Sequence, residues 1–185
     1  FEEVFRESTG TLLQELANLK RIIGRFSDFA KMPKPQFETV DVNEAVQEAA
    51  RLFAAQTEAS SIVVTFDMAA DAGSIEADQE QLSRALRNLM LNAMDAMPKG
   101  GKLHISTRQH GGSVRIEVGD TGQGLTEEEC ARLFTPYYTT KQHGTGLGLA
   151  IVQSVVSDHK GKIAVVSQPG AGATFVIDLP VRRDA

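Results

Sequence analysis

Two stretches of this chain alternate apolar and polar residues on either side of glycine-rich turns, and that pattern narrows the fold more than any other feature. Leu103, Ile105 and Thr107, then Val114, Ile116 and Val118, flank His110-Gly111-Gly112, which reads as an antiparallel hairpin. Residues 162–167 and 173–179 repeat the pattern around Gln168-Pro169-Gly170-Ala171-Gly172. Ile62, Val64 and Phe66 alternate with Val63 and Thr65, residues 37–42 read as another strand, and Ile75 lies in a short extended piece. A sheet with one apolar face needs a second layer over it.

Helical spacing supplies that layer. Leu82, Ala85, Leu86, Leu89, Ala93 and Met97 form one face of a helix that starts at a capping box, Asp78 with Gln81. Asp41 with Glu44 caps a helix over 43–57, Thr126 with Glu129 caps a short one ending near Leu133-Phe134, and residues 147–159 make another. The expected fold is α+β, a two-layer α/β sandwich with a mainly antiparallel mixed sheet covered on one face by helices. Ahead of it, Phe5, Thr9, Leu12, Leu16, Leu19, Ile23, Phe26 and Ala30 space a heptad seam, widened by Leu13, Ile22 and Phe29, as in a helix inside a bundle. Pro33 and Pro35 end that helix in a short, stiff linker. The expected organisation is one long bundle helix over 1–32, a linker over 33–37 and a domain over 38–182. An opening at Phe1, without methionine and in mid-helix, reads as part of something longer.

Composition removes several classes of function. A net charge of −5 and the lack of a dense basic cluster argue against nucleic acid as a partner. No apolar run approaches the roughly 20 residues that span a membrane, and no signal-peptide pattern opens the chain. No membrane contact is expected from these residues, with anchoring of a longer protein left open. The single cysteine, Cys130, excludes an internal disulfide and fits a reducing, cytoplasmic setting.

Candidate chemistry falls in three places. Arg84, Asn88, Asn92 and Asp95 share a polar stripe of the 78–97 helix, with Asn92 at the margin of the apolar face. Asparagine is a poor helix former, so two of them one turn apart read as groove-lining ligands rather than a solvated face. Asp120-Thr-Gly122-Gln-Gly124 ends a strand and sets an acceptor beside backbone that a flat ligand can approach. The long irregular segment 135–143 has the length of a lid. It leads to Gly144-Thr-Gly-Leu-Gly-Leu149, where alternate glycines open a helix, an arrangement that favours phosphate.

In this order the clusters resemble the ATP-binding domain of sensor histidine kinases, within the gyrase, Hsp90, histidine kinase and MutL superfamily, whose Bergerat-type fold is the sandwich expected above. Asn88-Leu-Met-Leu-Asn92-Ala resembles the N box, Asp120-Thr-Gly-Gln-Gly124 the first glycine box, Leu133-Phe-Thr-Pro-Tyr-Tyr-Thr-Thr-Lys141 the F box and Gly144-Thr-Gly-Leu-Gly-Leu149 the second glycine box. Gly170-Ala-Gly-Ala-Thr-Phe175 resembles the closing glycine-rich turn and strand. Arg25-Phe-Ser-Asp-Phe-Ala-Lys-Met-Pro33 resembles the second helix of the dimerisation and phosphotransfer hairpin of nitrogen-regulation-type kinases.

The resemblance implies ATP and Mg²⁺ as ligands. It implies that Asp120 accepts from the adenine amino group with Thr174 nearby, and that Asn92 ligates Mg²⁺ with Asn88 supporting phosphate or metal-bound water. Gly122 and Gly124 would let the backbone pass close to the nucleotide. Gly144, Thr145, Gly146, Leu147 and Gly148 would shape the lid, with Lys141 as its positive charge. The implied partners are the protein's own phosphotransfer hairpin, a second copy joined through residues 1–31, and a response-regulator receiver domain. Asp95 stands where many histidine kinases carry a lysine, which leaves Lys99, Lys102 or Lys141 to face the phosphates. None of His104, His110, His143 and His159 is followed by an acidic residue as the family's phosphoacceptor is, so the acceptor is expected outside this chain. The alternatives are a serine kinase of the anti-sigma type and a nucleotide-sensing dimerisation module without kinase activity.

Overall fold

The computed structural model describes residues 33–141 and 144–181, together with Thr9, Gly10, Leu12, Leu13 and Leu16. Those five isolated residues are helical and exposed. The rest of the expected bundle helix over 1–32 lies outside the described residues. Strand β1 (Glu38–Asp41) pairs antiparallel with β3 (Ser74–Ala77) in a two-stranded ribbon. The main sheet has β2 (Ile62–Met68), β4 (Gly101–His110), β5 (Ser113–Asp120), β6 (Lys162–Ser167) and β7 (Ala173–Pro180) in the order β2-β4-β5-β7-β6. β2 and β4 run parallel and every other neighbouring pair is antiparallel. His110 closes β4 opposite Ser113, so the β4–β5 turn is Gly111-Gly112 alone, both at positive φ.

One face of this sheet is covered. Leu103 and Ile105 of β4, Val114, Ile116 and Val118 of β5, and Phe175, Ile177 and Leu179 of β7 are buried in one core. They pack with α1 (Val42–Arg51), α3 (Gln79–Asp95) and α5 (Gly148–Asp158). Leu82, Ala85, Leu86, Leu89, Ala93 and Met97 are all buried, as their spacing requires. The opposite sheet face carries cross-strand ion pairs instead, Arg115 with Asp178 at 2.8 Å and Arg108 with Glu117 at 2.6 Å.

Two local expectations are corrected. The helix expected over 43–57 is split into α1 and α2 (Ala54–Ala59). Phe53 N–H donates to Ala50 O, which tightens the last turn of α1, and the Thr57 hydroxyl donates to the carbonyls of Phe53 and Ala54, a side-chain competition that bends helices. The capping boxes expected at Asp41 with Glu44 and at Asp78 with Gln81 are each half built, and Asp41 accepts Glu44 N–H at 2.9 Å without a return bond. Asp78 accepts from Gln81 N–H at 2.9 Å, but the Gln81 side chain donates to Pro33 O instead of returning. His159, 2% exposed at the end of α5, accepts the Asp78 N–H in its place. At α4 (Glu127–Arg132) the Thr126–Glu129 box is complete.

The β6–β7 turn locks against the loop after β5. Gly170 N–H donates to Gln123 O at 2.6 Å, and Ser167 Oγ takes Leu125 N–H. Gly172 has φ +81, and a Cβ there would overlap the Asp120 carbonyl oxygen. Gly170 has φ +79 with nothing within 4 Å of its would-be Cβ. Gly170→Ala is expected to lose only the left-handed backbone cost, about 1–2 kcal/mol, whereas Gly172→Ala adds a clash and loses more. Urea midpoints with an unchanged slope would report both. Equal losses would show that the interlock contributes nothing.

Candidate functional site

Beside the core, α3 forms one wall of a groove of about 610 Å³. Residue parity places the acidic group. Val114, Ile116, Val118 and Asp120 all point from β5 into the covered side, and Asp120 is the last of the row, 9% exposed. Its carboxylate accepts Gly122 N–H at 2.8 Å, and the backbone N–H of Ala173 on β7 lies near enough to favour its charged form. The side chain thus closes the turn that follows β5 while it lines the groove.

The polar stripe of α3 faces the same space. Asn88 Nδ2 donates to Arg84 O at 2.9 Å, and its Oδ1 lies toward Gly148 at the start of α5. No side chain caps the start of α5. Its first-turn N–H groups and dipole favour an anion there. One turn along α3, Asn92 Oδ1 accepts from Lys141 Nζ at 2.9 Å, and the same ammonium pairs with Asp95 Oδ2 at 2.8 Å. Lys141 lies on the loop between α4 and α5. Near the base of that loop Tyr137 N–H donates to Gly146 O, and Arg132 stacks over the Tyr138 ring at 4.5 Å. A Cβ on Gly146, φ +65, would overlap the Tyr137 backbone, so only glycine fits there.

The structure brings together Asn88, Asn92, Asp120, Gly124, Lys141, Gly144, Thr145, Gly146 and Gly148. Three expected residues do not line the groove. Leu147 is fully buried and anchors the loop in the core. Gly122 packs on the end of α3, where a Cβ would meet Ala96 O. Thr174 has the opposite parity to Ala173 and Phe175, which do line it. The alternation Ala173, Phe175, Ile177, Leu179 carried that signal. Of Lys99, Lys102 and Lys141, the groove is lined by Lys141. Spacing gave no hint of Gln123, Glu129, Leu133 or Tyr138, which loop folding brings in. Among the described residues no three His, Cys, Asp or Glu side chains cluster to hold a metal, and no helix is long and apolar enough to cross a membrane.

Residues 77–183 match the family model described as histidine kinase-, DNA gyrase B-, and HSP90-like ATPase. The chain is 36% identical over 171 residues to the sensor histidine kinase ZraS of Klebsiella oxytoca, which covers 92% of this chain and 37% of that protein. It thus spans little more than a third of that relative's length. Among solved structures, the nucleotide-free catalytic domain of histidine kinase ThkA matches with a TM-score of 0.74 at 30% identity, over 80% of this chain and 97% of that one. ThkA in complex with response regulator protein TrrA matches at 0.75 and 25%, over 91% and 49%. Full-length ShkA in complex with AMPPNP matches at 0.81 and 26%, over 97% and 39%.

Burial pushes the Asp120 carboxyl above the ordinary aspartate value, opposed by the N–H groups of Gly122 and Ala173 and by the Lys141 charge. A carboxyl whose folded pKa lies above its unfolded one binds its proton more tightly in the fold. Its burial cost is full above the raised value and is relieved as pH falls through it. Lys141→Gln removes one opposing charge, so Asp120 should titrate at still higher pH, read as its carboxyl ¹³C shift. A lower titration point in that variant would contradict the assigned electrostatics.

Proposed function

Because this chain belongs to the histidine kinase-, DNA gyrase B- and HSP90-like ATPase family, we propose that its groove binds Mg-ATP and that residues 38–182 are the catalytic ATP-binding region of a sensor histidine kinase. One observation carries this reading: Asn88, Asn92, Asp120 and Lys141 meet the uncapped start of α5 in a single groove. Asp120 accepts one backbone N–H, from Gly122, and its remaining lone pairs suit the adenine amino group. The Asn92 amide oxygen fits Mg²⁺, an oxygen-seeking ion that keeps most of its waters. That oxygen already holds a cation, the Lys141 ammonium. Bound Mg²⁺ would supply charge neutralisation on the phosphates. Asn88 is an amide and a poor base, which favours transfer to a histidine over activation of water.

The recipient in this reading is a histidine on a dimerisation helix, followed by an aspartate of a response regulator. Residues 1–32 would be the second helix of that hairpin, joining two copies through 1–31, and residues 33–37 the linker. The ThkA complex with response regulator TrrA supports the response-regulator part of this reading. The histidines within the described residues are poor recipients. His104 bonds the Thr65 hydroxyl, His110 ends β4, and His159 is buried with both ring nitrogens engaged.

Calorimetry should detect Mg-ATP binding, and Asn92→Ala should weaken it at least tenfold, about 1.4 kcal/mol, with an unchanged melting temperature. No binding at millimolar nucleotide would remove the reading. Given a separately made phosphotransfer hairpin, the chain should label it with an acid-labile phosphate. An acid-stable phosphate would favour the serine-kinase alternative, and binding without any labelling would favour the sensing module.

A further inference from the structure

The Asp95–Lys141 pair joins α3 to the loop before α5 across forty-six residues of sequence. Both side chains are partly exposed, 56% and 37%, and such a pair alone would mean little. What singles it out is the third member. The same Nζ donates to Asn92 Oδ1, the oxygen proposed above for the metal. An ammonium and a divalent cation cannot share one amide oxygen. At that separation their repulsion is large, and each occupies the lone-pair side that the other needs. Asp95 contributes nothing to the core, since its neighbour Met94 turns inward and Asp95 faces the groove.

We propose that Asp95 is a positioning residue. In the nucleotide-free chain it holds the Lys141 ammonium on the Asn92 oxygen, so that this lysine occupies the metal position and latches the loop to α3. Loading the metal–nucleotide displaces the lysine and frees the loop, and by linkage the latch lowers affinity for the loaded ligand. The inference rests on the reading that the groove takes a Mg-nucleotide. It adds why an acidic residue stands at position 95: the carboxylate selects the docked position of Lys141 over other orientations. Tyr137 N–H bonded to Gly146 O and Arg132 stacked on Tyr138 hold the base of the loop independently of Lys141.

Asp95→Asn removes the charge and keeps the shape at an exposed site, and an unchanged melting temperature confirms its fold. Tryptic cleavage after Lys141, mapped by mass spectrometry without nucleotide, should accelerate about two- to fivefold in the variant, the range of an exposed pair. Mg-ADP should bind tighter by a similar factor; ADP leaves out any contact of Lys141 with a γ-phosphate. In a Lys141→Gln background Asp95→Asn should no longer change Mg-ADP affinity, the mark of a coupled pair. Both tyrosines, Tyr137 and Tyr138, lie on this loop and the chain has no tryptophan, so tyrosine emission should shift on Mg-ADP binding and part of that shift should already be present in Asp95→Asn. Equal cleavage rates with equal affinities would overturn the latch, and so would weaker Mg-ADP binding in Asp95→Asn. If the unaltered chain binds no Mg-ADP, the nucleotide reading fails by itself, and the cleavage rates still decide whether Asp95 holds the loop.

Discussion

Helix α3 is the element on which both halves of the molecule depend, because its rotation about its own axis serves two purposes at once. Leu82, Ala85, Leu86, Leu89 and Ala93 fill the core against the sheet. That contact aims Asn88, Asn92 and Asp95 at the groove. Each residue advances about 100° around a helix, so a shift of one position would turn the asparagines away and bury a polar side chain. The apolar packing that stabilises the fold is therefore also what orients the polar wall. The start of α3 is held from three directions. Asp78 caps it and also takes Gln36 N–H, Gln81 reaches Pro33 O, and buried His159 accepts from Asp78 N–H.

The second wall follows from strand parity. A residue at every other position of β5 must face the helices, and the fourth in that row is a carboxylate, Asp120. Burial would be unfavourable without a partner; the Gly122 N–H supplies one, and the Ala173 N–H lies near enough to favour the charged form. Gly172 lets the β6–β7 turn pack on the Asp120 backbone, where a Cβ would overlap its carbonyl oxygen. A buried carboxyl, an amide oxygen and a lysine ammonium held on that oxygen thus line one cavity, with the uncapped helix α5 beside them. The charges are arranged for a ligand that carries both a hydrogen-bond donor and phosphate.

How much of this could be read from the residues depended on the range of the interaction. Hairpins, helix faces and the Thr126–Glu129 box are local and were legible, and so was the grouping of Asn88, Asn92 and Asp120. The split at Leu52–Phe53 was not, since the helical spacing continues through it and the break comes from hydrogen bonds of Phe53 and Thr57. The half-built box at Asp78 was not either, because the competing acceptor His159 lies eighty-one residues away. Thr174 was placed by motif, while the alternation of its own strand already assigned the groove to Ala173 and Phe175.

The sequence by itself determined the element types, the two-layer arrangement, the family and the set of polar groups available to the groove, because periodicity and turn chemistry act over a few residues. Tertiary structure alone decided that the Asp120 carboxyl is buried beside β7, which of three lysines reaches the α3 stripe, and that Lys141 bridges Asn92 to Asp95. Those outcomes depend on distances between segments far apart in the chain. Such distances are set when burial of one sheet face fixes where every loop must end.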